Sequence, residues 1–194
     1  MNISTLFTTI RTALAGVAVA FSASALTACG GDDEPTTSNT EWEVSPYSIQ
    51  MRVIDADDAN LLDAKNTGNV LADSITAEYL GNAYKLDTVG TAKAAPYSTA
   101  ASSTTNVKFI EPVFYGLTRY TPVGTRNYVM LFGEFGGAQN VDGGEIVIHW
   151  NREGVKNDTI TFSHTYTLVD GKPQTSTTVK LNHKDTTMPV TLKK

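Results

Sequence analysis

Beyond Trp42, apolar and polar residues alternate along much of the chain with a period of two. Ile49, Met51 and Val53 alternate with Gln50 and Arg52, and Ile75, Ala77 and Tyr79 alternate with Thr76 and Glu78. Side chains of a strand point to opposite faces in turn, so this pattern predicts strands with one buried face. The longest alternation runs from Thr159 to Leu168: Ile160, Phe162, His164, Tyr166 and Leu168 share one face, and Thr159, Thr161, Ser163, Thr165 and Thr167 share the other. A half-buried strand of an antiparallel sheet has this composition. Glu145 to Trp150 predicts another strand, with Ile146, Ile148 and Trp150 on one side and His149 on the other. Phe109–Leu117 and Tyr128–Phe132 are apolar on both faces, the expectation for central strands, with Tyr115 in the core beside Phe109, Val113 and Leu117.

Turn residues divide these runs. Gly81-Asn82 predicts a hairpin turn with glycine first, and Asp170-Gly171-Lys172-Pro173 and Asn151-Arg152-Glu153-Gly154 predict two more reversals. Short strands follow at Thr177–Leu181 and near Val190 and Leu192, while Asn60–Lys65 reads as one isolated turn. Eight or nine short strands and no convincing amphipathic helix predict an all-β domain. The expected architecture is an antiparallel β-sandwich, immunoglobulin-like or transthyretin-like, with a barrel as the alternative. Two connections stand out, the Ala- and Ser/Thr-rich stretch 91–105 and the Gly-rich stretch 133–144. Long connections of this kind serve function or lack order.

The first 28 residues follow a different pattern. Arg11 is their one charged side chain, and residues 12–28 are Ala-, Val-, Leu- and Phe-rich. A short positive region, an apolar region and a small-residue end describe a secretory signal. Ser22, Ser24 and Thr27 dilute the run, which is shorter than the roughly 20 apolar residues that span a bilayer. Leu26-Thr27-Ala28-Cys29 closes it, and this tetrad resembles the bacterial lipobox. The resemblance implies cleavage before Cys29, diacylglycerol on its thiol and an acyl chain on its new amine. Cys29 is the single cysteine of the chain, and lipidation accounts for it without a disulfide partner. Each buried acyl CH₂ adds about 0.8 kcal/mol, and more than one acyl chain gives stable anchoring.

Residues 29–41 form a Gly-, Ser/Thr- and acid-rich segment with little to bury, expected to be a flexible tether between the anchor and a single β-sandwich domain at 42–194. Its Asp32-Asp33-Glu34 triplet resembles the surface-export signal of Bacteroidota lipoproteins. Removing residues 1–28 takes away Arg11, so 15 − 1 = 14 basic residues face 20 acidic ones, a net charge of −6. A mildly acidic domain lacks the electrostatic footprint of a nucleic-acid binder.

Chemistry-bearing motifs are sparse. There is no Gly-x-Ser-x-Gly elbow, and the one thiol is assigned to lipidation, so the chain is expected not to be an enzyme. His164 falls on an apolar face and reads as a hydrogen-bonded core residue. His149, His164 and His183 show no zinc spacing. Asp55, Asp57 and Asp58, with Asn60 and Asp63, form the best oxygen-rich cluster and the candidate calcium loop, although Asn60 and Asn66 stand where an EF-hand needs Gly and Glu. No cofactor is expected. Trp42, Tyr97, Tyr115 and Tyr120 are the candidate stacking platforms for a sugar, with Trp42 and Tyr97 preferred.

Signal, lipobox and acidic tether together resemble the small surface lipoproteins of unknown function of Bacteroidota. So do the segments Glu78-Tyr79-Leu80-Gly81-Asn82-Ala83-Tyr84-Lys85-Leu86 and Trp150 to Ile160 in the body. The resemblance implies an outer-membrane, cell-surface destination and transfers no activity. The expected function is a non-enzymatic binding or accessory lipoprotein, such as one serving glycan uptake, with a glycan or an outer-membrane protein as partner. A fimbrial or adhesin subunit is the alternative.

Overall fold

The computed structural model describes residues 41–88, 99–101, 106–125 and 127–194. Within them the chain is all-β, with thirteen strands and no helix. The strands are β1 (Trp42–Val44), β2 (Tyr47–Ile54), β3 (Thr76–Tyr79), β4 (Asn82–Lys85), β5 (Thr99–Ala101), β6 (Val107–Ile110) and β7 (Leu117–Tyr120), then β8 (Val129–Phe135), β9 (Val141–His149), β10 (Asp158–Val169), β11 (Lys172–Leu181), β12 (Lys184–Thr186) and β13 (Val190–Lys193). They form a six-stranded sheet, β12-β11-β10-β9-β3-β4, a four-stranded sheet, β13-β2-β8-β7, and a small sheet, β1-β6-β5.

The period-two pattern explains how the two larger sheets pack as a sandwich. Ile49, Met51 and Val53 of β2, Met130 and Phe132 of β8, and Val190 and Leu192 of β13 supply one inner face. Ala77 of β3, Ile146 and Ile148 of β9, Ile160 and Phe162 of β10, and Val179 of β11 supply the other. Each fully buried Ile, Met or Phe contributes about 1.5–3 kcal/mol by leaving water. β8 is covered on both faces and lies between β2 and β7, as its continuous apolar run predicts. Most pairs are antiparallel, but β13 runs parallel to β2 and β1 parallel to β6. No local sequence signal reports these long-range pairings.

Several expectations are corrected. Phe109–Leu117 is two strand ends and a loop, because Pro112 carries no N–H for a ladder and Gly116 takes a φ of 72°. The stretch 133–144 is largely strand. Gly133 and Gly144 are glycines because aromatic rings cover them: a Cβ would stand 2.6 Å from the ring of Phe135 at the first and 2.7 Å from that of Phe162 at the second. Within 91–105, residues 99–101 form β5, and 91–98 and 102–105 lie outside the described residues. The β3–β4 turn is Leu80-Gly81, since Tyr79 pairs with Asn82. Both turn residues have positive φ, 49° and 75°, the mark of a type I′ hairpin. Asp170-Gly171 and Asn182-His183 repeat this geometry. The β10 alternation also outlasts the sandwich: burial stops after His164, and Leu168 is exposed near the hairpin tip.

Candidate functional site

The predicted site residues separate. Cys29 and Tyr97 lie outside the described residues. Trp42 opens β1, half-buried, with its N–H bonded to the Asn106 carbonyl (2.7 Å) and its Cα opposite Val107.

The acidic loop after β2 turns its oxygens toward its own backbone. Asp55 Oδ1 accepts from the N–H groups of Asp57 and Ala59, both at 2.9 Å. Asn60, Asp63, Asn66 and Asn69 each accept from the amide two residues on. These successive Asx turns shape residues 55–71 and hold Leu61, Leu62 and Val70 in the core. Asp58 has a φ of 62°, and its carboxylate faces Lys193 Nζ at 3.8 Å. Among the described residues no three His, Cys, Asp or Glu side chains converge as a metal site. Of the three candidate calcium ligands, Asp55 braces the turn with its carboxylate, Asp57 gives that carboxylate its N–H, and Asp58 faces Lys193.

The three histidines stand in separate parts of the fold. His164 is buried; Nε2 donates to the Gly137 carbonyl (2.9 Å), which can only accept, and Nδ1 shares a hydrogen bond with the Thr177 hydroxyl (2.7 Å). The Tyr47 ring stacks on it at 4.0 Å. Burial foremost, and Tyr79 second, push the Tyr47 phenol up to about 12. His149 bridges Glu78 (3.2 Å) and Asn157 (3.0 Å) on the outer sheet face, and His183 stands in a turn at a φ of 68°.

Aromatic side chains gather around the loop 111–116, which joins β6 to β7. Val113 N–H donates to Glu134 Oε2 (3.1 Å), and Gly133 N–H to the Gly116 carbonyl (3.2 Å), so β8 anchors both halves of the loop. Gly116 has to be glycine: its φ is positive, and a Cβ would stand 3.0 Å from the Tyr84 ring. The Phe114 ring meets Tyr84 (5.2 Å), Phe132 (5.3 Å) and Phe135 (5.7 Å) edge to face, and lies near-parallel to Tyr79 (6.4 Å, 21°). Burial first, then Tyr84, raises the Tyr79 phenol. Phe114 is nevertheless 41% exposed and Tyr115 36% exposed. Tyr115, expected in the core, is at the surface because the strand that would have turned it inward is interrupted.

This surface is a half-exposed ring held by four others and by a braced loop, so it presents an apolar face at little ordering cost. Phe114 was overlooked in the sequence because it sits in an apolar run. Pro112, three residues after Phe109, is the signal that breaks it.

A second concavity lies where the loop after β2, the β9–β10 turn and Lys194 meet. It encloses about 270 Å³ and is lined by Leu61, Val70, Asp73, Trp150, Arg152 and Val155, among others. Below it, Asp158 Oδ2 pairs with the Lys194 ammonium and accepts from Trp150 Nε1–H (3.0 Å), while Oδ1 accepts from Asn182 Nδ2 (3.0 Å). The ammonium also lies 4.4 Å from the centre of the Trp150 ring.

Comparison with family models, with curated proteins and with solved structures finds no match for this chain. Among the described residues, no helix is long and apolar enough to cross a membrane.

Proposed function

We propose that the chain is a lipid-anchored, surface-exposed, non-enzymatic lipoprotein that binds a glycan as an accessory of glycan uptake. The observation that carries this reading is the half-exposed Phe114 ring braced by Tyr79 and Tyr84, with Tyr115 exposed next to it in the same loop. The C–H faces of a pyranose are apolar and its rim is polar, so sugars favour half-exposed rings over closed apolar pockets. The address rests on the lipobox-like tetrad ending at Cys29 and on the acidic segment after it. Acylated Cys29 holds the protein on the outer membrane, and residues 30–41 give the domain reach.

Electrophoresis through gels carrying soluble plant and host polysaccharides tests the binding. Retardation by one polysaccharide, with unchanged mobility in a plain gel, is the expected result. Unchanged mobility across neutral, acidic and amino-sugar polymers contradicts the glycan assignment.

A further inference from the structure

We propose that the free edge of β11, Pro173–Thr177, pairs with the same edge of a second copy of the chain. The interface goes beyond the glycan reading and uses none of its residues. β10 and β11 form a hairpin that outruns the sandwich: burial stops after His164, and Leu168 and Val169 near its tip are 46% and 45% exposed. On the side away from β10, β11 is covered by β12 at Val179–Leu181. From Pro173 to Thr177 its strand partner is β10 alone among the described residues. The register shows which backbone groups are open. Two-residue turns join Val169 to Lys172 and Leu181 to Lys184, so each of these pairs is hydrogen-bonded and the bonded residues alternate from there. The even-numbered residues of β11 therefore bond to β10, and Pro173, Thr175 and Thr177 point their backbone groups outward. Pro173 has no N–H, which suits an outward position. Among the described residues no other backbone group meets these three.

Charge, a bulge or a covering element usually blunts an edge strand. Here Pro173 stands at one end and β12 at the other, and Gln174-Thr175-Ser176-Thr177 between them carries no charge. That stretch is complementary to itself, which selects a second copy as the partner. With Thr175 on a two-fold axis, Pro173–Thr177 lies antiparallel against its own copy. Thr175 N–H donates to the carbonyl of the partner's Thr175, and Thr177 N–H donates to the carbonyl of the partner's Pro173. The symmetry repeats both bonds. On the outer face Gln174 meets the partner's Ser176 and Lys172 meets the partner's Thr178, so no like charges stand directly opposite. The charges on that face balance at each end, where Asp170 and Lys172 of one copy come beside the Lys180–Asp185 ion pair (3.7 Å) of the other. The Asp170-Gly171 turn and β12 confine the pairing to this short stretch. It buries far less than a standard interface, so the pair is weak and reversible.

Oxidative cross-linking of the full-length chain in detergent tests this. In a Cys29→Ser background, Thr175→Cys sets two thiols across a bonded strand pair, with about 5.5 Å between Cα atoms, a separation that a disulfide spans. Thr191→Cys, at an exposed position on the β13 edge, reports random collision. The expected result is a disulfide dimer of Thr175→Cys that forms about tenfold or more faster than that of Thr191→Cys. Adding Gln174→Lys and Ser176→Lys sets like charges opposite each other and returns Thr175→Cys to the collision rate. Equal rates for the two edges, or a Thr175→Cys thiol captured in membranes by a different protein instead of a second copy, overturns the proposal. Sedimentation of the unmodified chain, with micelles in molar excess, needs no variant. A mass that rises from monomer toward dimer between about 1 and 300 μM is expected, and a constant monomer mass over that range contradicts the pairing.

Discussion

Replacing Asp158 with Ala strikes the most concentrated polar network of the domain. Its carboxylate neutralises Lys194 and accepts from Trp150 and Asn182, and the Asp158 and Lys194 side chains are each only 10% exposed. Removing one partner of a buried ion pair leaves the other charged in a poor solvent, at a cost of about 3–5 kcal/mol. Trp150 Nε1–H, fully buried, loses its acceptor at the same time. A loss of about 4 kcal/mol lowers Tm by roughly 8–16 °C in a domain of this size. Changing both ends, Asp158→Leu with Lys194→Met, removes the stranded charge, so the double variant is more stable than Asp158→Ala. The assay is urea unfolding followed by tryptophan fluorescence and far-UV circular dichroism, with single and double variants in one cycle. A cost below about 1 kcal/mol for Asp158→Ala, or additivity with Lys194→Met within about 0.5 kcal/mol, refutes the argument.

Other expectations follow from single contacts. Tyr47 keeps its proton in the folded state up to about pH 12 but releases it near 10 when unfolded, so its contribution to stability is full below pH 10 and is lost as pH rises toward 12. Because its hydroxyl is buried without a hydrogen bond, Tyr47→Phe is neutral or stabilising by up to about 1 kcal/mol, and urea midpoints across that pH window show a shallower decline. Gly137→Ala places a Cβ 2.2 Å from the Ser45 carbonyl oxygen and costs about 1–3 kcal/mol by calorimetry. Gly154→Ala, with nothing within 4 Å but a φ of 76°, costs only about 1–2 kcal/mol. Cys29→Ser abolishes incorporation of labelled palmitate and releases the protein from the membrane fraction; retention of label refutes the lipidation assignment.

Strands whose two faces differ were legible along the chain, since burial there is a local alternation. β2 and the first half of β10 read directly from Ile49-Met51-Val53 and Ile160-Phe162-His164. The alternation says nothing of how far the opposing sheet extends, which is why Leu168 was expected inside and is exposed. Apolar content misled at 109–117, where Pro112 and Gly116 outweigh the surrounding side chains. The Asp/Asn loop shows a different limit: composition counts oxygens but does not orient them, and here those of Asp55, Asn60, Asp63, Asn66 and Asn69 each meet an amide two residues on. The aromatic surface is assembled from β3, β4, β8 and the 111–116 loop, so its parts are up to 56 residues apart (79 to 135) and no window along the sequence contains it.

The central claim is that Phe114 and Tyr115 present a sugar-binding surface, and retardation measured as a function of polysaccharide concentration tests it most directly. Phe114→Ala and Tyr115→Ala are compared with wild type and with Thr165→Ala, an exposed change on β10. The account predicts that Thr165→Ala is retarded like wild type. Each aromatic variant, with its fold verified by circular dichroism, is predicted to need about tenfold or more polysaccharide for the same retardation. Equal retardation of all four proteins contradicts it.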